Sequence, residues 1–169
     1  MHSKTTKMIK NTSFSLKLGK DITIMLGLMG EYQHNIDKKG RMFVPSKLRD
    51  ALGGPVVISK SIDFKPCLFI YSAEEWDKLV SKINNQPFIK VSALQRHLFS
   101  GATEVEYDAQ GRVLLPAVLR EYAGLKESEQ AIIIGASNRV EIWSPDEWEK
   151  VSTAITPENI EQALLECEI

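Results

Sequence analysis

Short segments of alternating or wholly apolar residues, each bounded by turn residues, recur along the chain and predict β-strands. The predicted strands are residues 32–36, 41–44, 56–59, 68–71, 112–115, 131–134 and 140–143. Segments with a helical spacing of apolar residues lie between and after them. The predicted helices are residues 46–52, 89–99 and 157–166, with two more that begin after Ser72 and Ser144. This mixture predicts an α+β fold built from small units.

Local sequence signals indicate where several of these helices begin and end. Ser72 and Ser144 are each followed three residues later by a glutamate, which is the S-x-x-E pattern of a capping box. Thr156 stands before Pro157, and proline is well tolerated in the first turn of a helix. Gly53 is expected to stop the helix that precedes it, because glycine readily adopts the left-handed conformation found after helix ends.

The chain contains an internal repeat, which a shift of 71 positions reveals. The identical pairs include Gly30 with Gly101, Asp37 with Asp108, Gly40 with Gly111, Arg41 with Arg112, Pro45 with Pro116, Arg49 with Arg120 and Gly53 with Gly124. Beyond one inserted residue the shift becomes 72 and pairs Trp76 with Trp148, which we expect to anchor their helices in the core. We call residues 30–76 repeat one and residues 101–148 repeat two. Two units are too few for a solenoid, so we expect them to pair into one pseudo-symmetric body.

Each repeat contains a predicted hairpin turn that ends in an arginine. In repeat one the turn is residues 37–40, Asp-Lys-Lys-Gly, followed by Arg41; in repeat two it is residues 108–111, Asp-Ala-Gln-Gly, followed by Arg112. Aspartate favours such turns because its side chain bonds to nearby backbone N–H groups. Glycine favours them because it accepts a positive φ. The sequence therefore predicts two equivalent arginine-bearing hairpins.

The overall charge gives no sign of a nucleic-acid partner, so any such contact must come from local clusters. The formal net charge is −1. Residues 30–53 of repeat one carry five cationic and three anionic side chains, a net +2, whereas residues 101–124 of repeat two carry two and four, a net −2. Repeat one is therefore predicted to be the stronger electrostatic face, and repeat two to contribute more to assembly.

Several classes of function are disfavoured by what the sequence lacks. Cys67, Cys167 and the three histidines are scattered without a zinc-ligand spacing, so neither a metal, a cofactor nor a disulfide framework is predicted. No nucleophile elbow, phosphate-cradling glycine loop or HExxH motif is present, so the chain is not predicted to be an enzyme. Residues 1–24 hold five lysines and one aspartate and are interpreted as a basic, disordered extension rather than a signal peptide. The apolar stretch after it is too short to span a membrane.

Residues 29–41 resemble the opening of the MraZ proteins, a bacterial family with two D-x-x-x-R motifs. Both motifs are present here, as Asp37 to Arg41 and Asp108 to Arg112, together with the matching segments 45–49, 67–71 and 116–120. The resemblance covers residues 29–150. It implies two tandem, β-barrel-like modules of the AbrB/SpoVT swapped-hairpin superfamily, with flanking helices. The expected boundaries are an extension at 1–24, modules at 25–84 and 101–150, a linking helix at 85–100 and a C-terminal helix and tail at 151–169.

The resemblance also implies a function. We expect a transcriptional regulator, mainly a repressor, that binds short direct repeats in double-stranded promoter DNA of the division and cell-wall gene cluster. A ring-like homo-oligomer is implied, as is a cytoplasmic, nucleoid-associated location. Arg41 and Arg112 are the expected base or groove readers. The expected phosphate contacts are Lys38, Lys39 and Arg49. The expected positioning residues are Asp37, Asp108, Gly40 and Gly111.

Plainer interpretations of these residues remain open. The Asp37–Arg41 pair has the spacing of a structural ion pair across the hairpin, which contributes little when exposed. Arg49 and Arg120 suit a bridge from a helix to an acidic neighbour equally well. A second function is an antitoxin-like or scaffold protein that acts through a protein partner. Its basis is the segment after Pro157, which holds four glutamates and no lysine or arginine. Whether that segment packs on its own module distinguishes the two functions.

Overall fold

The structure is a computed structural model that describes residues 16–18, 22–24 and 27–169. Two short antiparallel strands, β1 (Leu16–Leu18) and β2 (Ile22–Ile24), precede the repeats. The rest of the predicted extension, residues 1–24, lies outside the described residues. Within residues 27–169 no helix is long and apolar enough to cross a membrane.

The elements of the two repeats follow the same order, strand, strand, helix, strand, strand, helix. Repeat one and the residues around it form β3 (Leu28–Asn35), β4 (Arg41–Phe43), α1 (Ser46–Leu52), β5 (Val56–Lys60), β6 (Cys67–Ser72) and α2 (Ala73–Asn84). Helix α3 (Phe88–Phe99) links them to the second set. That set is β7 (Thr103–Val105), β8 (Arg112–Leu114), α4 (Ala117–Tyr122), β9 (Gln130–Ser137), β10 (Val140–Trp143) and α5 (Pro145–Thr153), followed by α6 (Pro157–Glu166). The predicted α+β class is confirmed.

The strands of the two repeats are interleaved in one antiparallel sheet of six strands. Its order is β3-β9-β10-β6-β5-β7. Of the five pairs of neighbouring strands, three join a strand of repeat one to a strand of repeat two, namely β3 with β9, β10 with β6 and β5 with β7. A second sheet consists of β4 and β8 alone, one from each repeat. Because each repeat supplies hydrogen-bonding partners for the other, neither has a complete sheet of its own.

Strand β3 is longer than its sequence indicates. The alternating pattern predicts a start at Tyr32, whereas β3 begins at Leu28 and pairs with β9 without interruption, from Leu28 opposite Ser137 to Asn35 opposite Gln130. The residues before Tyr32 lack an alternating pattern because Gly30, which falls on the same face as the buried Leu28, is exposed and has no side chain, while the apolar Met29 is exposed on the opposite face. Their extended conformation comes from hydrogen bonds to the partner strand, which a local pattern does not reveal.

The main hydrophobic core is also shared between the repeats. Its largest fully buried side chains are Ile36, Met42, Val44, Leu48, Ile58, Leu68, Ile70, Leu115, Leu119, Ile133 and Ile142. Burial of one large aliphatic side chain contributes about 1.5–3 kcal/mol to folding. Because these residues come from both halves of the chain, the halves are expected to fold together.

The helices that close each repeat begin where the S-x-x-E pattern predicts. Ser72 Oγ accepts a hydrogen bond from the backbone N–H of Glu75 at 3.2 Å, and Ser144 Oγ accepts one from Glu147 at 3.3 Å. Trp148 packs against Trp143, with ring centroids 5.9 Å apart, on the outer face of the large sheet. Its counterpart Trp76 packs against the same apolar cluster as Trp148 and also against a second apolar cluster, which lies beneath α3. The prediction that both tryptophans anchor their helices is confirmed.

The helices that follow the two repeats have different surroundings. Helix α3 covers α2 through a cluster in which Ile83, Val91 and Leu98 are buried. Helix α6 begins as predicted at Pro157, after a capping box formed by Thr156 and Asn159. However, every residue from 157 to 169 is exposed, so the C-terminal segment does not pack on its own module.

Candidate nucleic-acid interface

The D-x-x-x-R segment of repeat one folds into a tight turn that its aspartate stabilises. Asp37 Oδ1 accepts hydrogen bonds from the backbone N–H groups of Lys39, at 2.8 Å, and Arg41, at 2.9 Å. The second oxygen, Oδ2, accepts a hydrogen bond from Arg41 Nε at 2.7 Å. These donors lower the pKa of Asp37 below its usual value, and the backbone N–H of Arg41 is the largest cause. The carboxylate therefore stays ionised at neutral pH and holds the stem of the arginine.

The turn of repeat two has the same geometry with different intervening residues. Asp108 Oδ1 accepts hydrogen bonds from the backbone N–H groups of Gln110 and Arg112, both at 2.9 Å, and Oδ2 accepts one from Arg112 Nε at 2.8 Å. The pKa of Asp108 is lowered, mainly by the backbone N–H of Arg112. A spacing of four residues lets one carboxylate reach both the backbone and the side chain of the arginine. The repeated motif therefore encodes a repeated structure.

Both turns need glycine at their last position. Gly40 has a φ of +77° and donates its N–H to the carbonyl of Asp37 at 2.9 Å. Gly111 has a φ of +78° and makes the same bond to Asp108, also at 2.9 Å. A side chain is strained in this left-handed region, so glycine is the residue that suits the turn.

The strands that carry the two arginines pair with each other. In the β4–β8 ribbon, Arg41 lies opposite Leu114 and Phe43 lies opposite Arg112. The middle pair, Met42 and Val113, is fully buried. Side chains alternate between the two faces of a strand. The residues that share the outward face are therefore Arg41, Phe43, Arg112 and Leu114.

The aspartate of repeat one links the two arginines. Arg112 Nη1 lies 3.6 Å from Asp37 Oδ2, the atom that also accepts the hydrogen bond from Arg41. The side chains of Arg41 and Arg112 are 32% and 25% exposed, so these ion pairs contribute little to stability and mainly orient the guanidinium groups. Within residues 27–169 the Arg41 guanidinium bonds to protein only through Nε, which leaves its terminal nitrogens for a ligand.

The two turns differ in charge at their tips. Lys38 and Lys39 are exposed in the turn of repeat one, and in residues 27–169 neither takes part in a salt bridge. The same positions in repeat two are Ala109 and Gln110, which are also exposed. The two tips thus present similar backbones but different charges.

Arg49, predicted to contact phosphate, lies against the turn of the other repeat. Its Nε donates a hydrogen bond to the carbonyl of Val44 at 2.9 Å, and the N–H of Val44 donates to the carbonyl of Gly111 at 3.1 Å. A Cβ atom on Gly111 would lie only 2.5 Å from Cζ of Arg49. The guanidinium also lies over the ring of Phe43, with Cζ 5.3 Å from the centroid. Arg49 therefore joins the helix of repeat one to the turn of repeat two.

Arg120 makes the reciprocal contact. Its Nε donates to the carbonyl of Leu115 at 3.0 Å, and the N–H of Leu115 donates to the carbonyl of Gly40 at 2.9 Å. In addition, Arg120 Nη1 lies 3.2 Å from a carboxylate oxygen of Glu127. The bridge to an acidic neighbour is thus present for Arg120, whereas Arg49 has no such partner within residues 27–169.

Some members of this surface were missing from the sequence-based prediction. Phe43 and Leu114 lie on the outward face of the ribbon between the arginines, and the contact of Arg120 with the turn of repeat one adds to its predicted bridge to an acidic neighbour. The alternation of Arg41, Met42 and Phe43 places Phe43 on the arginine face, but the pairing of β4 with β8 has no local signal. Among residues 27–169 no cluster of three or more His, Cys, Asp or Glu side chains is arranged to hold a metal ion.

The sequence matches the model of one protein family twice. The family is described as "MraZ protein, putative antitoxin-like", and the matched residues are 28–95 and 98–165. The second match reaches 15 residues beyond the resemblance noted at residues 29–150, and it includes most of α6.

Curated relatives agree with this match over most of their length. A protein of Heliobacterium modesticaldum is 46% identical over 83% of this chain and 99% of its own. Proteins of Acetivibrio thermocellus and Pelotomaculum thermopropionicum are each 50% identical; they cover 73% and 72% of this chain and 85% and 82% of their own. All three are named transcriptional regulator MraZ. With two family matches that cover both repeats and relatives at this level of identity, the chain belongs to the MraZ family.

Proposed function

We propose that this protein is a DNA-binding transcriptional regulator that reads its site with the β4–β8 ribbon and the two turns. The observation that carries the proposal is the placement of Arg41 and Arg112 on the same outward face of the ribbon, with the Asp37 carboxylate against both guanidinium groups. The names of the curated relatives support a role in transcription rather than catalysis.

The chemistry of the ribbon suits double-stranded DNA. A two-stranded ribbon fits the major groove, and an arginine donates two hydrogen bonds to O6 and N7 of guanine. Arg41 and Arg112 are the proposed base readers, with Asp37 and Asp108 as positioning residues that hold each Nε; Nη1 of Arg112 also lies 3.6 Å from Asp37 Oδ2. Gly40 and Gly111 allow the turns that bring these groups together. Leu114, which is 52% exposed, suits an apolar contact such as the methyl group of thymine.

Phosphate contacts are proposed mainly for repeat one. Lys38 and Lys39 lie at the tip beside Arg41, where they would neutralise backbone phosphates and set the register. Arg49 belongs to the predicted set, but its contacts with Val44, Phe43 and Gly111 favour support of the ribbon. The neutral tip of repeat two would contribute shape and base contacts more than charge.

The wider regulatory role is proposed on the basis of the family. The target would be short direct repeats in the promoter of the division and cell-wall gene cluster, with repression as the main outcome, in the cytoplasm and associated with the nucleoid. A ring-like homo-oligomer would present several ribbons at once. Each bound ribbon raises the effective concentration of the next at a neighbouring DNA repeat, which offsets the weak charge of a single chain.

We infer that the exchange of strands corresponds to the swapped-hairpin arrangement of the AbrB/SpoVT superfamily. Support comes from β4, which keeps one bridge from Met42 to Ile36 but pairs along its length with β8 of repeat two, and from β3, which pairs with β9. Two modules within 25–84 and 101–150 would then be halves of one intertwined body, joined by the helix within 85–100.

A protein partner is the second candidate function. It is favoured by α6, whose exposed face carries glutamates and large apolar side chains and does not pack on its own module. The antitoxin-like wording of the family description is compatible with it. An antitoxin or scaffold of this kind would bind a basic protein through α6 and would need no sequence-specific DNA.

A mobility-shift titration against the protein's own upstream promoter DNA tests the proposal. The variants are Arg41→Ala, Arg112→Ala and the double variant, with Lys150→Ala on the far helix α5 as a matched loss of one exposed cation. We expect each arginine to contribute about 1–3 kcal/mol of discrimination against a scrambled site. Lys150→Ala should bind as wild type does. No specific shift by wild type at low salt would overturn the DNA-binding function and favour the protein partner.

A further inference from the structure

Helices α3 and α6 are equivalent elements of the internal repeat. Each follows the last helix of its repeat, and a shift of 70 positions aligns Pro87 with Pro157, Ala93 with Ala163 and Leu94 with Leu164. The repeat therefore extends to the C-terminal helix. Two equivalent helices would be expected to pack in the same way.

Their packing is different. The inner face of α3 is covered by α2, with Val91 8% and Leu98 0% exposed. In α6 all large apolar side chains are open to solvent, and Leu165 is 74% exposed. The preceding helices differ in the same way. Under the shift of 72 positions that pairs Trp76 with Trp148, Ile83 at the end of α2 corresponds to Ile155 after α5. Ile83 is 5% exposed, whereas Ile155 is 55% exposed. An apolar surface that is closed in repeat one is thus open in repeat two.

Two sequence differences explain why α6 does not close on α5. The counterparts of the buried Val91 and Leu98 are Glu161 and Glu168. Burial of a carboxylate without a cation is costly. Helix α5 offers three acidic residues and one lysine, which is already paired with Glu147 at 2.6 Å. A surface that covers α6 must therefore supply both apolar side chains and positive charge.

Such a surface is present on the outward face of α3. Phe88 is 69% and Ile89 is 91% exposed at its N-terminal end. Lys90 and Arg96 follow them along the helix, and both cations are exposed. No acidic residue lies between positions 78 and 103. Ile89 and Arg96 are seven positions apart and so share one face of the helix. Helix α6 and the residues after it carry four glutamates and no cation.

We propose that α6 of one chain docks on the outward face of α3 of a neighbouring copy of this chain. Leu164 and Leu165 would cover Phe88 and Ile89, while Glu161 and Glu168 face Lys90 and Arg96. Every chain carries one α6 and one free α3 face, and the two surfaces differ. The contact is therefore heterologous, and its repetition produces a closed ring or an open chain rather than a symmetric dimer.

This inference rests on the homo-oligomer of the proposed function and names the surfaces that build it. The residues that it assigns to assembly, in α6 and at the N-terminal end of α3, lie outside the β4–β8 ribbon. Loss of the contact should leave the β4–β8 ribbon intact, because neither α6 nor the N-terminal end of α3 contributes to it.

Analytical ultracentrifugation of the full chain tests the proposal. Leu165→Asp disables α6 and Ile89→Asp disables the α3 face; both residues are exposed in the single chain, so both variants should fold and keep the wild-type circular dichroism spectrum. We expect each variant alone to be monomeric. Mixed in equal amounts, they should form a heterodimer, because one intact α6 then meets one intact α3 face. Val118→Asp, a substitution at another exposed position, is the control and should assemble as wild type does.

Charge exchange provides an independent test. Glu161→Lys and Arg96→Glu should each weaken assembly, and the two changes combined in one chain should restore it. If Leu165→Asp is monomeric but Ile89→Asp still assembles, α6 binds a different surface and the proposal is overturned. Assembly by both variants, or a monomeric wild type, also overturns it. A promoter shift by a monomeric wild type would leave the DNA-binding function standing, so the two failures are distinguishable.

Discussion

The guanidinium of Arg120 in repeat two lies against Gly40 in the turn of repeat one, where an added Cβ would be 2.9 Å from Nε. Arg49 and Gly111 repeat this relationship in the opposite direction. Each arginine also bonds to a carbonyl of its own repeat, on a residue whose N–H donates to the glycine of the other turn. Each helix therefore supports the turn of the other repeat, which makes the two turns interdependent.

The first prediction concerns the glycines under these arginines. Gly111→Ala should cost more stability than Gly124→Ala. Both positions have a positive φ, +78° and +63°, so both substitutions should cost roughly 1–2 kcal/mol in backbone strain. At Gly124 a Cβ meets nothing within 4 Å, whereas at Gly111 it would displace Arg49 and its bond to Val44, which adds about 1 kcal/mol. Urea unfolding measures the difference, and equal costs would contradict the role of the contact.

The second prediction separates the two possible roles of Arg49. A phosphate ligand contributes about 0.9 to the slope of log K against log salt concentration, whereas a supporting residue changes affinity without changing the slope. We expect Arg49→Gln to weaken promoter binding with an unchanged slope and Lys38→Gln to reduce the slope. A reduced slope for Arg49→Gln would establish it as a phosphate contact, as the sequence predicts.

The third prediction concerns coupling between the repeats in DNA binding. Arg49 supports the turn that carries Arg112, so the effects of Arg49→Ala and Arg112→Ala on affinity should be less than additive. The pair Arg49→Ala and Arg41→Ala should be closer to additive, because Arg41 belongs to the other turn. Double-mutant cycles by fluorescence anisotropy measure both. Stronger coupling of Arg49 with Arg41 than with Arg112 would show that the repeats act independently.

The fourth prediction concerns the pKa values of Asp37 and Asp108. Both are lowered, mainly by a backbone N–H of the following arginine, so Arg41→Ala should leave the pKa of Asp37 below 3.8. A folded-state pKa below the unfolded value stabilises the protein above the unfolded pKa, and this contribution is lost as the pH falls through the folded pKa. Carboxyl-carbon NMR titration measures both values. A pKa of Asp37 that returns to 3.8 in Arg41→Ala would assign the shift to the side chain instead.

The fifth prediction concerns the two thiols. Cys67 is fully buried and burial raises the pKa of its thiol, whereas Cys167 is exposed at the end of α6. A thiol reagent should therefore label one cysteine per chain in the folded protein and two in denaturant. Cys167→Ser, which removes only the exposed thiol, should abolish the labelling of the folded protein. Rapid labelling of Cys67 without denaturant would contradict its place in the core.

Local sequence determined the elements and the chemistry of the turns. The D-x-x-x-R spacing, the glycines with positive φ and the S-x-x-E helix starts depend on contacts within about four residues, so their patterns are visible in the chain itself. The shift of 71 positions revealed the pseudo-symmetry and the equivalent arginines, and the start of α6 followed from Thr156 and Pro157.

The tertiary structure alone decided which strands pair and therefore what the arginines contact. Nothing local indicates that β4 pairs with β8, that Asp37 reaches Arg112, or that Arg120 lies against Gly40. These contacts join residues roughly 70 to 80 positions apart, and they form because two amphipathic halves bury one shared core instead of two separate ones. The sequence thus specified two hairpin turns of equivalent geometry, and burial of the common core placed their arginines on one face of the β4–β8 ribbon.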